Sequence, residues 1–354
     1  MTKTAFAVTT FFLAAMSAAP TAQAAPCLVM TLTGTMGGPP TFNGLAGPGT
    51  LVRYGDDSNN CNDVKMQFDS GRGTNMRLSQ VDVPEWQLNA IFFTHMHTDH
   101  TEGFADILQL RWHFNAAGPK IDVVCSSDIV SPLGFTMSCK NFALHISDAF
   151  IHSGEIAQRL SEVKQRLAAS GGPADLTNVI TFDPKNEPQV VWSSGDVKVS
   201  AIQSTHIVGH ASYRVDTPAG SVVIGGDAGN DTFAPPRASS TSDQVEKLAK
   251  GADIVVHSTI HPNMGPDKDS GMPPPLFYRQ STAADLGAMA TRAGVKYLVL
   301  THLLPPIGAE RHGPWKSPGG ALTEADYRKA VQDSGFTGNI VVGTDLANIR
   351  LPGK

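Results

Sequence analysis

No run of lysines and arginines stands out in this chain, and its 27 basic residues are outnumbered by 32 acidic ones. Binding a phosphate backbone through counterion release needs clustered cations, so long RNA or DNA is not expected as a partner. No Cys-x-x-Cys pair occurs, and none of Cys27, Cys61, Cys125 and Cys139 stands beside a candidate metal ligand. Thiolate metal sites are thereby disfavoured. Beyond the first 24 residues no apolar run is long enough to cross a bilayer, so no membrane association is expected of the mature chain. Long linkers, charge blocks and internal repeats are also missing from the 354 residues, which favours one large domain. What remains is ordinary globular composition, 41% hydrophobic and 17% charged, enough for a sizeable core.

The N-terminus carries the one apolar segment outside this pattern. Lys3 supplies a positive start, Ala5 to Ala19 an apolar core, and Ala22-Gln23-Ala24 a small-residue cleavage pattern. Residues 1–24 therefore read as a signal peptide and 25–354 as a single hydrolase-sized domain, periplasmic or secreted. Pro26 precedes Cys27 where a lipoprotein signal wants a small residue, which argues against a lipid anchor. Loss of Lys3 takes the net charge from −5 to −6. Export makes disulfides the favoured state of the cysteines, with four free thiols as the alternative. Of the three pairings, Cys27 with Cys61 and Cys125 with Cys139 join near neighbours; loops of these sizes stabilise by roughly 3–4 kcal/mol each.

Taken in order, the mature chain opens with strands at Leu28 to Gly34, Thr50 to Gly55 and Val64 to Asp69, with a Gly- and Pro-rich loop from Thr35 to Gly49. A short helix over Arg72 to Gln80, a helix over Gly103 to His113 and a strand over Ile121 to Ser126 follow. Ile156, Leu160, Val163 and Leu167 form one amphipathic stripe ending at Gly171-Gly172. The second half begins with four strands, at Gln189 to Ser194, Val197 to His206, Ser212 to Pro218 and Ser221 to Gly226. Helices at Ser242 to Lys250 and Thr282 to Ala293 then alternate with strands at Asp253 to His257 and Lys296 to Leu300. Thr323 and Asp326 make a capping box for a last helix, and Asn339 to Thr344 is a final strand. Hairpin runs followed by alternating helices and strands, twice over, indicate two sheets packed face to face with helices outside, an α+β fold.

The polar residues fall at the strand ends. Asn89 to Gly103 is an apolar run, Ala90 to Phe93, that stops on His95, His97, Asp99 and His100. In extended chain, residues two apart point the same way, so His95 and His97 can face one ion while the following turn carries Asp99 and His100 to another side. Four ligands within six residues suggest two adjacent ions. His206, Asp227 and His302 likewise sit at or just beyond the ends of apolar strands, and such ends can converge on one edge of a sandwich.

This pattern resembles the metallo-β-lactamase superfamily over nearly the whole mature chain, the HxHxDH motif being His95-Met96-His97-Thr98-Asp99-His100. Gly47 to Val52, Phe68 to Gly73, Thr205-His206 before Ser212-Tyr213-Arg214, Gly226-Asp227 and Leu300-Thr301-His302 are similar to the branch containing ribonuclease Z and certain secreted arylsulfatases. The resemblance implies a four-layer αββα sandwich, the metallo-β-lactamase fold. It also implies that His95, His97, His206 and Asp227 hold a first metal and Asp99, His100, His302 and the same Asp227 a second. Asp99 and Asp227 would double as catalytic groups. Two Zn²⁺ ions are the first choice for this His-rich, carboxylate-bridged set, with Mn²⁺ or iron open. Asp69 reads either as a partner fixing a ligand histidine's tautomer or as a turn former. His210, His257 and His261 are left over, with core or surface roles favoured over a place in the pocket.

Two departures shape the functional reading. Only 20 residues separate His206 from Asp227, too few for the tRNA-gripping arm of ribonuclease Z. Ser258 and Gln280 stand where the family tends to carry a proton-handling Glu and His. The expectation is an exported dinuclear hydrolase acting through a metal-bridging hydroxide on a small-molecule ester, a phosphodiester or aryl sulfate, with no nucleic acid as partner. A lactone or β-lactam hydrolase of the same fold is the first alternative, and a metal-holding binding protein with little catalysis the second. A homo-oligomer is compatible with all three.

Overall fold

The computed structural model describes residues 24–352, together with residues 1, 2 and 5. The expected signal segment 1–24 therefore lies almost wholly outside the described residues. The chain forms two seven-stranded sheets. The first contains Pro26–Gly34 (β1), Gly49–Asp56 (β2), Val64–Phe68 (β3), Ala90–Phe92 (β4), Ile121–Ser126 (β5) and Thr177–Phe182 (β6). The second contains Gln189–Ser194 (β7), Val197–Gln203 (β8), Ala211–Thr217 (β9), Gly220–Ile224 (β10), Ile254–Ile260 (β11), Tyr297–Leu304 (β12) and Asn339–Val342 (β13). Asn348–Leu351 (β14) then returns to the first sheet and pairs antiparallel with β1, Leu28 opposite Leu351.

Each sheet starts as an antiparallel meander and continues as parallel strands. In the first, β2 pairs antiparallel with β3 and β3 parallel with β4; in the second, β9 pairs antiparallel with β10 and β10 parallel with β11. Parallel neighbours need a crossover, and the crossovers here are helices. Those helices cover the outer faces. Thr74–Gln80, Phe104–Asn115 and Cys139–His152 pack on the first sheet through Leu78, Phe104, Ile107 and Ala143. Asp243–Ala249, Ala283–Ala293 and Glu324–Gln332 pack on the second through Val245, Leu286, Met289 and Tyr327. The order helix, sheet, sheet, helix is the expected αββα sandwich.

The layer between the sheets is where the alternation of the strands is spent. Leu28, Met30 and Leu32, two apart along β1, all point into it and meet Val197, Val199 and Val222 of the facing sheet. Phe68 stacks on Phe92 at 4.6 Å between ring centres, and Tyr213 from the opposite sheet lies 5.5 Å from Phe92. The Tyr213 hydroxyl donates to the Phe93 carbonyl at 2.8 Å, tying the second sheet to the chain just before His95. Burying rings of this size stabilises by about 1.5–3 kcal/mol each, and the hydroxyl is satisfied rather than stranded.

Local signals end the helices as expected. Thr323 and Asp326 form a reciprocal capping box, and Gly294 closes Ala283–Ala293 in a left-handed conformation. Both expected cystines are present: Cys27 pairs with Cys61 and Cys125 with Cys139, with Cα atoms 5.4 and 6.7 Å apart. Three expectations need correction. The stripe from Ile156 to Leu167 is two helices, Glu155–Gln158 and Leu160–Ser170, rather than one. β11 and β12 run past His257 and Leu300, to Ile260 and Leu304. His302 is consequently inside a strand, not beyond its end.

Candidate metal centre

β4 ends at Phe92, and the next residues turn away from the sheet because Asp69 captures them. Asp69 sits at φ 53°, a left-handed conformation that Asp tolerates, and its carboxylate accepts from the Thr94 backbone N–H and hydroxyl, both at 2.8 Å. The same carboxylate lies 2.9 Å from His100 Nδ1. Both readings of Asp69 are compatible with this geometry: it turns the chain, and it holds the His100 ring through Nδ1 so that Nε2 faces the site. Gly103 lets the end of the motif close on Asp69-Ser70-Gly71, since a Cβ there would stand 2.3 Å from the Gly71 carbonyl oxygen.

Between these ends the motif splits in two. His95 Nε2 and His97 Nδ1 face each other at 2.8 Å. The short helix Thr98–Thr101 starts directly after His97 and swings Asp99 and His100 to the neighbouring position. The remaining ligands arrive from the second sheet. His206 lies in the loop between β8 and β9, and Asp227 follows Gly226, whose φ of 61° and contact with His210 leave no room for a side chain. His302 is the extra residue of a bulge: Ser258 pairs with Thr301 and Thr259 with Leu303 across the ladder. With φ at 47°, the bulge turns the imidazole toward the other members of the cluster, where it is itself buried.

The result is two adjoining clusters, His95 with His97, His206 and Asp227, and Asp99 with His100 and His302, the ligand atoms of each all within 4.8 Å of one another. Asp227 Oδ2 joins them: it lies 3.4 Å from His100 Nε2, 3.7 Å from His206 Nε2 and 3.2 Å from His302 Nε2. All but His97 are buried. His100 Nε2 and Asp227 Oδ1 have no hydrogen-bond partner among the described residues, an arrangement that is costly unless something else meets them. Imidazole nitrogens and carboxylate oxygens converging in this number suit a pair of divalent cations of the zinc type.

Electrostatics agree with that fit. Burial pushes His95 well below the ordinary histidine range and His206 down to about 3, leaving neutral rings with a lone pair to offer. Burial also opposes charge on His100, yet Asp227 and Asp69 outweigh it and hold its pKa well above the usual value. Asp99 is desolvated as well, but the His302 hydrogen bond and the charge of His100 bring it down to about 2. The buried carboxylates thus draw positive charge into the site. Protons supply some of it here, and cations would supply it in the metal-loaded protein.

The leftover histidines divide. His210 lies beside Asp227: its Nε2 accepts the Asp227 backbone N–H at 3.2 Å and its Nδ1 is 2.8 Å from Ser204 Oγ, so it helps hold the aspartate that joins the two clusters. His257 is fully buried in β11 with its pKa lowered to about 4 by desolvation. His261 packs on Tyr327, away from the ligands, as a half-core residue. Gln280 lines the cavity over the centre, whereas Ser258 is buried in β11. Sequence reasoning missed Arg279, His312 and Trp315, which also line that cavity. They occur singly, outside any motif; only the Gly-Pro turn at Gly313-Pro314 hinted at a hairpin there.

No protein-family model matches the chain. It is 27% identical to ribonuclease Z of Mycobacterium bovis over 331 residues, covering 92% of this chain and 98% of that one. Among solved structures it resembles the metallo-β-lactamase fold protein YhfI from Bacillus subtilis, at 19% identity and a TM-score of 0.56, covering 92% and 99% of the two chains. Human tRNase Z, short form, superposes with a TM-score of 0.57 at 16% identity, over 92% and 99%. Two of these, ribonuclease Z and tRNase Z, are ribonucleases by name, which overturns the expectation of a small-molecule ester substrate with nucleic acid excluded. The physical reason is that net charge says nothing about charge at a pocket: Arg279 stands in the cavity wall and makes no ion pair among the described residues. The chain has the metallo-β-lactamase fold and is similar along nearly its whole length to ribonuclease Z.

Proposed function

We propose that the chain is an exported, metal-dependent phosphodiesterase, with nucleic-acid linkages among the phosphodiesters it can take. The observation that carries this is Asp227: one buried carboxylate oxygen within 3.7 Å of ring nitrogens from both ligand clusters, in a chain similar to ribonuclease Z. His95, His97, His206 and Asp227 would hold one ion and Asp99, His100, His302 and Asp227 the other, with zinc the first choice. Two such ions supply Lewis acidity that lowers the pKa of water and neutralises charge developing on a phosphoryl group.

The chain's own groups do the rest. Asp69 and His210 lock His100 and Asp227 in orientation through the hydrogen bonds at 2.9 and 3.2 Å. Arg279, whose guanidinium makes no ion pair among the described residues, stands at the cavity wall for the single negative charge of a phosphodiester. Gln280 in place of an acid leaves the leaving group with little help from protonation, which favours substrates whose leaving oxygen is already a good anion. An aryl sulfate has the same charge and tetrahedral shape and belongs in the same assay.

Export is supported by the leader pattern of residues 1–24 and by the two cystines, which persist in oxidising compartments. The test is fractionation of cells expressing the full chain, with N-terminal sequencing. A periplasmic or secreted product beginning near Ala25 is expected; an uncleaved cytosolic chain with free thiols would contradict it. For the activity, zinc-loaded protein is expected to hydrolyse bis(4-nitrophenyl) phosphate and a short RNA, both inhibited by EDTA. Tight metal binding with no turnover of phosphodiesters or aryl sulfate would leave a binding protein instead.

A further inference from the structure

The cavity above the metal centre has two unlike kinds of lining. Part comes from the ligand set, with His97, Asp99 and Asp227. Part is apolar and aromatic, from Met272, Leu304, His312 and Trp315. Its volume is about 200 Å³; a cavity of roughly 150 Å³ is enough to hold a benzene ring.

The aromatic wall is a constructed feature. It sits on a two-stranded hairpin in which Arg311 pairs with Lys316 and His312 with Trp315. The His312 and Trp315 rings lie parallel, 18° apart in plane and 5.9 Å between centres. The Trp315 side chain packs on the cluster of Ile260, Met264, Met272, Phe277 and Leu304. Lys316 N–H donates to the Ser270 carbonyl at 3.0 Å, and Lys316 Nζ pairs with Asp269 at 2.6 Å, so the hairpin is held at its base. The glycine-rich rim closes against it: a Cβ on Gly38 would stand 3.4 Å from His312 Nε2, and Gly38 N–H donates to His302 Nε2 at 3.1 Å. A half-exposed indole, held by the hairpin, therefore lines the same cavity as His302 and Arg279, whose guanidinium makes no ion pair among the described residues.

An indole face held in this way has nothing to do for a phosphoryl group. It matches a flat π-system, on which stacking improves binding about fivefold to a hundredfold. We propose that the hairpin Arg311–Lys316 forms a specificity subsite in which a flat aromatic group of the phosphodiester lies against Trp315 while Arg279 holds the phosphoryl charge. The inference rests on the phosphodiesterase reading. The ring can come from a nucleobase or from an aryl ester, and the two are separable by substrate.

The test uses zinc-loaded full-length mature protein and three substrates that release the same 4-nitrophenolate. They are methyl 4-nitrophenyl phosphate, bis(4-nitrophenyl) phosphate and thymidine 5′-(4-nitrophenyl phosphate). The expected result is a kcat/KM at least tenfold higher for the two substrates whose non-leaving group carries a flat ring than for the methyl ester, whose single ring is the leaving group, expressed mainly in KM. Trp315→Ala is expected to shrink that preference to less than threefold, and Trp315→Phe to keep most of it. A larger preference for the thymidine substrate identifies a nucleobase, and one for the bis-aryl substrate an aryl ester. Equal handling by the wild type of the methyl substrate and of the two with a ring on the non-leaving group, or a Trp315→Ala loss of equal size on all three, would overturn the subsite. If no substrate is turned over, the phosphodiesterase reading has failed, and calorimetric titration with phenylphosphonate and methylphosphonate decides the subsite separately. Phenyl binding at least fivefold tighter in wild type but not in Trp315→Ala supports it, and parity in wild type refutes it.

Discussion

At the scale of single residues, the account turns on how few atoms connect two ligand clusters. Asp227 Oδ2 faces both, whereas His302 belongs to the second alone. Asp227→Ala is expected to lower occupancy at both positions, and His302→Ala to empty mainly one, read by elemental analysis after dialysis against a weak chelator. Full double occupancy in Asp227→Ala would remove the bridge. Asp69 holds His100 through Nδ1 at 2.9 Å; Asp69→Asn is expected to weaken metal affinity about 10–100-fold in chelator competition, with the fold retained. His257 gives a pH dependence of its own. Its pKa is about 4 in the folded chain because burial disfavours the charged ring, against roughly 6.5 when unfolded. The unfolded chain binds the extra proton between those values, so stability present above pH 6.5 is lost as pH falls toward 4, by about 3 kcal/mol. Urea unfolding of EDTA-treated protein at pH 7.5 and pH 5 is expected to show a steeper loss in wild type than in His257→Gln. Equal losses would place the acid sensitivity elsewhere.

At the scale of elements, what could be read in advance was what local sequence determines. The HxHxDH motif is contiguous, and His206, Asp227 and His302 lie at or near apolar runs, so the residues that the structure gathers into two clusters could be picked out, with the family resemblance sorting them into two sets. The helix Cys139–His152 was not, because the residues it buries fully are Cys139, Ala143 and Ser147, too small to print an amphipathic stripe. β14 is four residues long and exists through pairing with β1, more than 300 positions earlier, which no local pattern reveals. The bulge at His302 escaped for a related reason: register is a property of two strands, and a single apolar run does not show where the ladder skips. His312 and Trp315 acquire their meaning only from the hairpin that carries them to the cavity. The cystine between Cys125 and Cys139 spans 14 positions and ties β5 to the start of the unread helix. Replacing both cysteines by serine is expected to cost roughly 3 kcal/mol in denaturant unfolding, mostly through the unfolded state. No change in the unfolding midpoint would mean that the cystine contributes nothing to stability.

At the scale of the whole molecule, the sandwich serves to bring ligands from both sheets to one edge. His95, His97, Asp99 and His100 come from the end of β4, and His206, Asp227 and His302 from the facing sheet, with the Tyr213 hydroxyl bound to the Phe93 carbonyl just beneath. Neither sheet alone holds a complete set, so the centre reports on the packing of the whole. The most direct test of the central claim is a zinc titration of metal-free mature protein, following bis(4-nitrophenyl) phosphate hydrolysis. Activity is expected to rise until about two equivalents of metal are bound, to vanish with EDTA, and to be absent in Asp227→Ala at any zinc concentration. Hydrolysis that persists in metal-free protein, or survives undiminished in Asp227→Ala, would contradict it.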